Sequence, residues 1–309
     1  MLLIGPLAMA PCPHLVFLGA ATMDMIFSVE RLPARPGKVL PNSLVQAAHG
    51  MATSAATAAA RLGASASLIT RIGDDSMGDR FIAEVEAEGV DCRHVWRAKG
   101  VATPVSAVIV DAEGERLIVP YYDKGLGSDP SWLDDELIRS ADATQVDVRW
   151  VEGAEKALTL ARDAGKVAVL DGDVGPIEAL TTLAGLATHN VFSAPAAQAL
   201  TGEEDCAKAV REMSRRFSGL CAVTDGDKGC YWIEDGELHH LLPPKVVAVD
   251  TLAAGDVFHG AFTLMIAEGR SVAEAVRFAS AAAAIKCTVF GGRLGAPKRN
   301  EVEALLAQG

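Results

Sequence analysis

Residues 146–173 read VDVRWVEGAEKALTLARDAGKVAVLDGD. An apolar run, Val146 to Arg149, leads into an amphipathic stretch, Glu152 to Ala164, and then a second apolar run, Val167 to Leu170. Their lengths and spacing predict strand, helix, strand. The rhythm continues with a helix over Ile177 to Leu186, a strand at Val191 to Phe192, a helix over Glu203 to Phe217 and a strand at Leu220 to Thr224. Such alternation predicts an α/β fold, doubly wound around a mostly parallel sheet with helices on both faces.

Working outward, His14 to Ala20 reads as the first strand, leading to the loop Thr22-Met-Asp24. Ala52 to Leu62 and Ser76 to Glu88 read as helices stopped by Gly63 and Gly89, with a strand at Ser67 to Ile72 between them. Pro33, Pro36, Gly37 and Pro41 interrupt residues 26–45, which suits short exposed strands. Val105 to Val110 and Arg116 to Tyr121 flank the turn Asp111-Ala-Glu-Gly114. These segments predict a small β lid, inserted at about 26–45 and 104–122 into one domain spanning 14–309. Ser131-Trp-Leu-Asp134 has the capping-box pattern and should open a helix. A second hairpin pairs Cys230 to Ile233 with Glu237 to Leu242. The apolar strand Val246 to Val249 is followed by helices Asp256 to Glu268 and Ser271 to Lys286.

The chain has 309 residues, half of them hydrophobic, and a net charge of −12. That balance argues against nucleic acid or an anionic membrane as partner, because both demand basic patches. No apolar run is long enough to span a bilayer. The six cysteines form no C-x-x-C pair and read as reduced, packed thiols of a cytoplasmic protein. Residues 1–13 read as a leader without the basic start of a signal peptide.

Ligands of open parallel sheets bind at the carboxyl ends of the strands. Those ends carry Asp24, Arg149, Asp171, Asp173, Thr224-Asp-Gly226 and Asp250-Thr251. The segment Asp250-Thr-Leu-Ala-Ala-Gly-Asp256 then runs directly into a helix. The N–H groups of Ala254, Gly255 and Asp256 would point at an anion there, and Asp256 could accept a proton from an attacking hydroxyl. A plain N-cap at Asp256 explains the same residues equally well. No G-x-x-x-x-G-K-[ST], no G-x-G-x-x-G after the first strand and no H-R-D or D-F-G set occurs.

Asp250 to Phe262 resembles the C-terminal signature of the ribokinase (PfkB) family of carbohydrate kinases. Gly50-Met-Ala-Thr-Ser-Ala-Ala with Ala60-Arg-Leu-Gly63, Arg71 to Gly78, and Thr224-Asp-Gly-Asp-Lys-Gly229 resemble further family segments, in order. The resemblance implies an ATP-dependent kinase with Mg²⁺ across the phosphates and a homodimer formed through the lid. It implies Asp256 as base beside an anion hole of Ala253, Ala254 and Gly255. Asp24, Gly50 and Ser54 would meet the sugar; Ser193, Thr224, Gly226, Gly229 and Ser280 would meet the nucleotide. Phe290-Gly-Gly-Arg293 stands where some relatives bind K⁺ through backbone carbonyls. A narrower resemblance, to sulfofructose kinases, rests on Asp147-Val-Arg-Trp150, Leu170-Asp-Gly-Asp173 and Asp256-Val-Phe-His-Gly260. It implies an anionic ketose, with Lys38 and Arg149 as partners of its sulfonate or phosphate. A neutral sugar or nucleoside as acceptor, and a silent sugar-binding protein, are the competing readings.

The sequence departs from the family pattern at several points. Ala253 replaces a glycine of the anion hole, and Ser54 replaces an Asn. Ser193 and Ala196 stand where an Asn-x-x-Glu motif is usual, so no metal-binding residue is assigned. Pro120 stands where the sulfofructose kinases have an Asn.

Overall fold

The computed structural model describes residues 12–308, so most of the leader expected at 1–13 lies outside the described residues. The chain opens with β1 (His14–Leu18), β2 (Thr22–Ser28), β3 (Ser43–His49) and α1 (Met51–Arg61). It continues through β4 (Ser65–Gly73), α2 (Ser76–Glu86), β5 (Val90–Asp91), β6 (Val95–Ala98), β7 (Val105–Val110) and β8 (Arg116–Tyr121). The alternating half comprises α3 (Asp135–Ser140), β9 (Ala143–Asp147), α4 (Val151–Asp163), β10 (Val167–Gly172), α5 (Ile177–Leu186) and β11 (His189–Ser193). Then follow α6 (Ala194–Thr201), α7 (Cys206–Arg216), β12 (Leu220–Thr224), β13 (Cys230–Glu234) and β14 (Glu237–Leu241). Three helices close it: α8 (Ala254–Ala267), α9 (Val272–Cys287) and α10 (Arg299–Leu306).

The main sheet runs β14-β13-β12-β11-β10-β9-β1-β4-β5, with β6 also pairing β4. All its pairings are parallel except β12 with β13 and β13 with β14. The period-2 geometry of β1 divides its side chains between two cores. Leu15 and Phe17 pack with α1, α8 and α9 residues such as Ala55, Phe262 and Val276. Val16 and Leu18 face the other way, towards Trp150, Leu158 and Leu183. Burial on both faces explains why these strands read as continuous apolar runs. Helices α1 and α8 cross so closely that a Cβ on Gly260 would lie 2.2 Å from the Ala55 carbonyl oxygen.

The lid is a separate sheet in the order β3-β2-β7-β8. Its outer pairs are antiparallel, but β2 and β7 run parallel. Asp24, expected in a loop, lies within β2, whereas residues 29–42 form no regular element. Proline and glycine in that stretch deny it ladder hydrogen bonds.

Other expectations give way to local chemistry. The helix predicted to open at Ser131 begins at Asp135. Asp134 caps it by accepting from the N–H groups of Glu136 and Leu137, while Ser131 bonds back to Asp129. Residues 246–249 form no strand, and Val247 is 86% exposed. Helix α6 was not anticipated; Ser193 caps it by accepting from Ala196 N–H, with a proline in its first turn.

Candidate active site

The carboxyl ends of β9, β10, β11 and β12 and the start of α8 converge on one rim of the main sheet, facing the lid. Helix α8 begins at Ala254, so Asp256 stands in its first turn and is not the N-cap. The N-cap is Ala253, at φ 62° and ψ 11°, the left-handed conformation that penalises a side chain. Ala254 N–H bonds the Thr251 carbonyl at 3.2 Å, and Val257 N–H bonds the Ala253 carbonyl at 3.0 Å. Of the three donors expected to be free, Ala254 is therefore taken. Gly255 and Asp256 keep their N–H groups unpaired among the described residues. A Cβ on Gly255 would meet nothing within 4 Å, so space lies open before this turn.

Asp256 is partly exposed at the rim. Burial pushes its proton affinity well above the ordinary carboxylate range, and the charges of Asp171, Asp173 and Asp147 add to it, while His259 opposes. Asp171 is likewise raised, by burial and by Asp173 and Asp147, and one of its oxygens has no hydrogen-bond partner. Its other oxygen lies 3.4 Å from Nε2 of His259.

Asp147, which sequence reasoning left without a role, locks three segments together. Its carboxylate accepts from the N–H groups of Ala20 at 2.8 Å, Ala52 at 3.1 Å and Arg149 at 2.8 Å. A Cβ on Gly19 would fall 2.1 Å from that carboxylate. Gly50, at φ 112°, has a packing reason of its own, because a Cβ there would sit 2.2 Å from the Ala20 carbonyl oxygen.

The residues assigned to the sugar are spread unevenly. Asp24 is buried; it accepts from Thr22 Oγ1 at 2.6 Å and faces His49 Nδ1 at 3.7 Å. Burial raises its carboxyl to about 6. Burial and Arg293 push His49 down to about 3, so its ring is neutral, and Nε2 accepts from Arg293 N–H at 3.2 Å. The proton therefore sits on Nδ1, facing Asp24. Ser54 does not reach open space: it is fully buried, with an unpaired hydroxyl, because that face of α1 packs into the core. Arg149 is engaged with Asp173 Oδ2 at 2.6 Å and the Val174 carbonyl at 2.7 Å. Lys38 is exposed in the irregular stretch of the lid. Tyr122, which sequence reasoning did not select, follows β8 and is exposed, with the charge of Asp147 near enough to raise its phenol.

A cleft of about 530 Å³ adjoins the first turn of α8. Thr224, Gly226, Gly229 and Ser280 line it together with Ala254 and Gly255. Gly226 and Gly229 take φ of 53° and 94°, and a Cβ on Gly229 would strike the Leu241 carbonyl oxygen at 2.1 Å. Ser193 lies outside this lining; its hydroxyl bonds Asp173 at 3.2 Å. Ala196 is fully buried. Among the described residues no group of three or more His, Cys, Asp or Glu is arranged to hold a metal ion.

The family model described as pfkB family carbohydrate kinase matches residues 13–299. The chain belongs to that family. It is an ATP-dependent carbohydrate kinase, a phosphotransferase with an alcohol group as acceptor. Ribokinase of Haemophilus influenzae is 31% identical over 303 residues, covering 93% of this chain and 96% of the relative. A crystal structure from Agrobacterium tumefaciens, provisionally termed a ribokinase, is 47% identical with a TM-score of 0.93, covering 96% and 98% of the two chains. Arabidopsis thaliana ribokinase complexed with ribose and ATP superposes with a TM-score of 0.82 at 24% identity, covering 96% and 99%; this likeness bears on the fold. None of the described helices of this kinase is long and apolar enough to cross a membrane.

Proposed function

We propose that the kinase phosphorylates a hydroxyl of a neutral, ketose-like or furanose sugar, with Asp256 as the base. The observation that carries this reading is the place of Asp256 in the first turn of α8, beside two free N–H groups and open space. A carboxylate there can take the hydroxyl proton as the nucleophile attacks. The free N–H groups and the helix dipole stabilise charge on the transferring phosphoryl group. Asp24 would accept hydrogen bonds from other sugar hydroxyls. The cleft of Thr224, Gly226, Gly229 and Ser280 would take the nucleotide. Mg²⁺ fits this site as an ion held by phosphates and water, since protein ligands are few and Mg²⁺ keeps several waters. When bound it would neutralise phosphate charge. The exposed apolar face of β8, with Val119 59% and Tyr121 55% exposed, suits the lid as a dimer surface.

An anionic acceptor was the expectation from Lys38 and Arg149. The guanidinium of Arg149 is spent on Asp173 and Val174, and Lys38 lies exposed in the irregular stretch 29–42. With that guanidinium engaged, no cation among the described residues is left facing the acceptor to hold a sulfonate or phosphate, which favours neutral hydroxyls. The test is ADP release with ribose, fructose and their phosphorylated and sulfonated counterparts. The highest kcat/KM is expected for a neutral sugar. A sulfonated or phosphorylated sugar that outruns every neutral one would overturn the assignment.

A further inference from the structure

The family resemblance allows a potassium ion beside Phe290–Arg293, and the side chains there permit a direct test of its fit. Asp250 and Lys286 are both fully buried, and the Lys286 ammonium lies 3.3 Å from Asp250 Oδ2. The ammonium also donates to the Asp250 carbonyl at 2.5 Å. The same carboxylate oxygen accepts from Gly291 N–H at 2.9 Å and Gly292 N–H at 2.8 Å. A potassium ion needs oxygen lone pairs converging on it. Here an ammonium and two N–H groups, all positive ends, converge on Asp250 Oδ2, and the same ammonium takes up the Asp250 backbone carbonyl. Arg116, bonded to Thr251 Oγ1 at 2.7 Å, adds further positive charge nearby. A dehydrated potassium ion does not fit this arrangement.

We infer that Lys286 is a built-in monovalent cation, which holds the Asp250–Gly255 turn in place of an external potassium ion. An ammonium group and a dehydrated potassium ion are similar in size and equal in charge. Lys286 sits in the last turn of α9, where the helix dipole favours a cation. The Cys287 carbonyl accepts from Val249 N–H at 2.7 Å and Asp250 N–H at 3.1 Å, so the same helix end carries both the cation and the start of the turn. Asp250 Oδ1 accepts from Leu252 N–H at 2.8 Å, which passes the constraint towards Ala253 and the free N–H groups. Burial alone would raise the Asp250 carboxyl, but Lys286 and the three N–H donors outweigh it and hold it below the usual range. Burial lowers the proton affinity of Lys286 and Asp250 opposes that, so each partner favours the charged form of the other and removing one strands a buried charge.

The test uses two properties that need no sugar: MgADP affinity by calorimetry and the melting temperature. Each is compared in potassium chloride and in tetramethylammonium chloride at equal ionic strength. For the unaltered kinase both should be the same in the two salts. Lys286→Met should melt lower by roughly 5–15 °C, as expected for a stranded buried carboxylate. Potassium, but not tetramethylammonium, should restore part of the variant's melting temperature and MgADP affinity. A saturable, potassium-specific gain in the unaltered protein would overturn the inference. So would a folded Lys286→Met variant indifferent to potassium. Should the variant not fold, thallium-soaked crystals of the unaltered protein decide: no thallium at Asp250 or the 289–293 loop is expected, and a peak there refutes it. Absence of any MgADP binding would count instead against the nucleotide cleft, and the melting comparison would still judge Lys286.

Discussion

Nε2 of His259 lies 3.4 Å from Oδ1 of Asp171, and the pair joins α8 to the end of β10. His259 Nδ1 is 2.7 Å from the Gly255 carbonyl, so Nδ1 carries a hydrogen. Nε2 also faces the Val191 carbonyl at 3.1 Å. One further proton, on Nε2 or on Asp171, satisfies the pair and leaves it neutral overall. His259 lowers the proton affinity of Asp256, whereas Asp171 raises it, with Asp173 and Asp147 acting in the same sense. His259→Phe should therefore move the acid limb of the kcat profile to higher pH, and Asp171→Asn should move it lower. Shifts in the same direction would show that the pair acts only as packing.

Asp256→Asn keeps the size of the side chain and removes the base. Turnover should fall by about 10²–10⁴-fold with MgADP affinity nearly unchanged. Rapid-quench measurement of the phosphoryl-transfer step, beside calorimetry, checks both parts. Near-normal turnover would remove Asp256 from the base role.

Ala253 holds φ 62° with a side chain that disfavours it. Ala253→Gly should stabilise the protein by about 1 kcal/mol, seen as a higher urea midpoint at unchanged slope. The more flexible unfolded chain offsets part of this gain. Activity should persist, because the N–H groups of Gly255 and Asp256 keep their places.

Asp24 gives a pH signature of stability. Burial raises its carboxyl from 3.8 to about 6, so the folded protein binds more protons than the unfolded chain between those values. Stability from this group is therefore present at low pH and lost as pH rises through about 6. The loss above that pH is about 3 kcal/mol, at 1.36 kcal/mol per unit. Melting temperatures between pH 4 and 7 should fall less steeply with pH in Asp24→Asn than in the unaltered protein. Parallel curves would mean that Asp24 titrates normally.

Periodicity and turn chemistry are local properties, and they carried the sequence far. The alternation from Val146 to Thr224 specified a parallel sheet, because strands buried on both faces need unbroken apolar runs. The segment Asp250–Asp256 placed a helix start beside a carboxylate, because those residues are contiguous. Contacts across long separations left no such trace. Nothing near Asp147 announces that it holds Ala20 and Ala52, and nothing near His259 announces Asp171. Arg149 looked free for a substrate anion until the fold set Asp173 beside it. Lys286 looked like the end of an Ala-rich helix until its ammonium was found buried against Asp250. The sequence by itself determined the layers and, through its family resemblance, the class of reaction. Which charges are spent on one another, and which remain for a ligand, only the tertiary structure decided, because electrostatic pairing depends on distance in space and on exclusion of water.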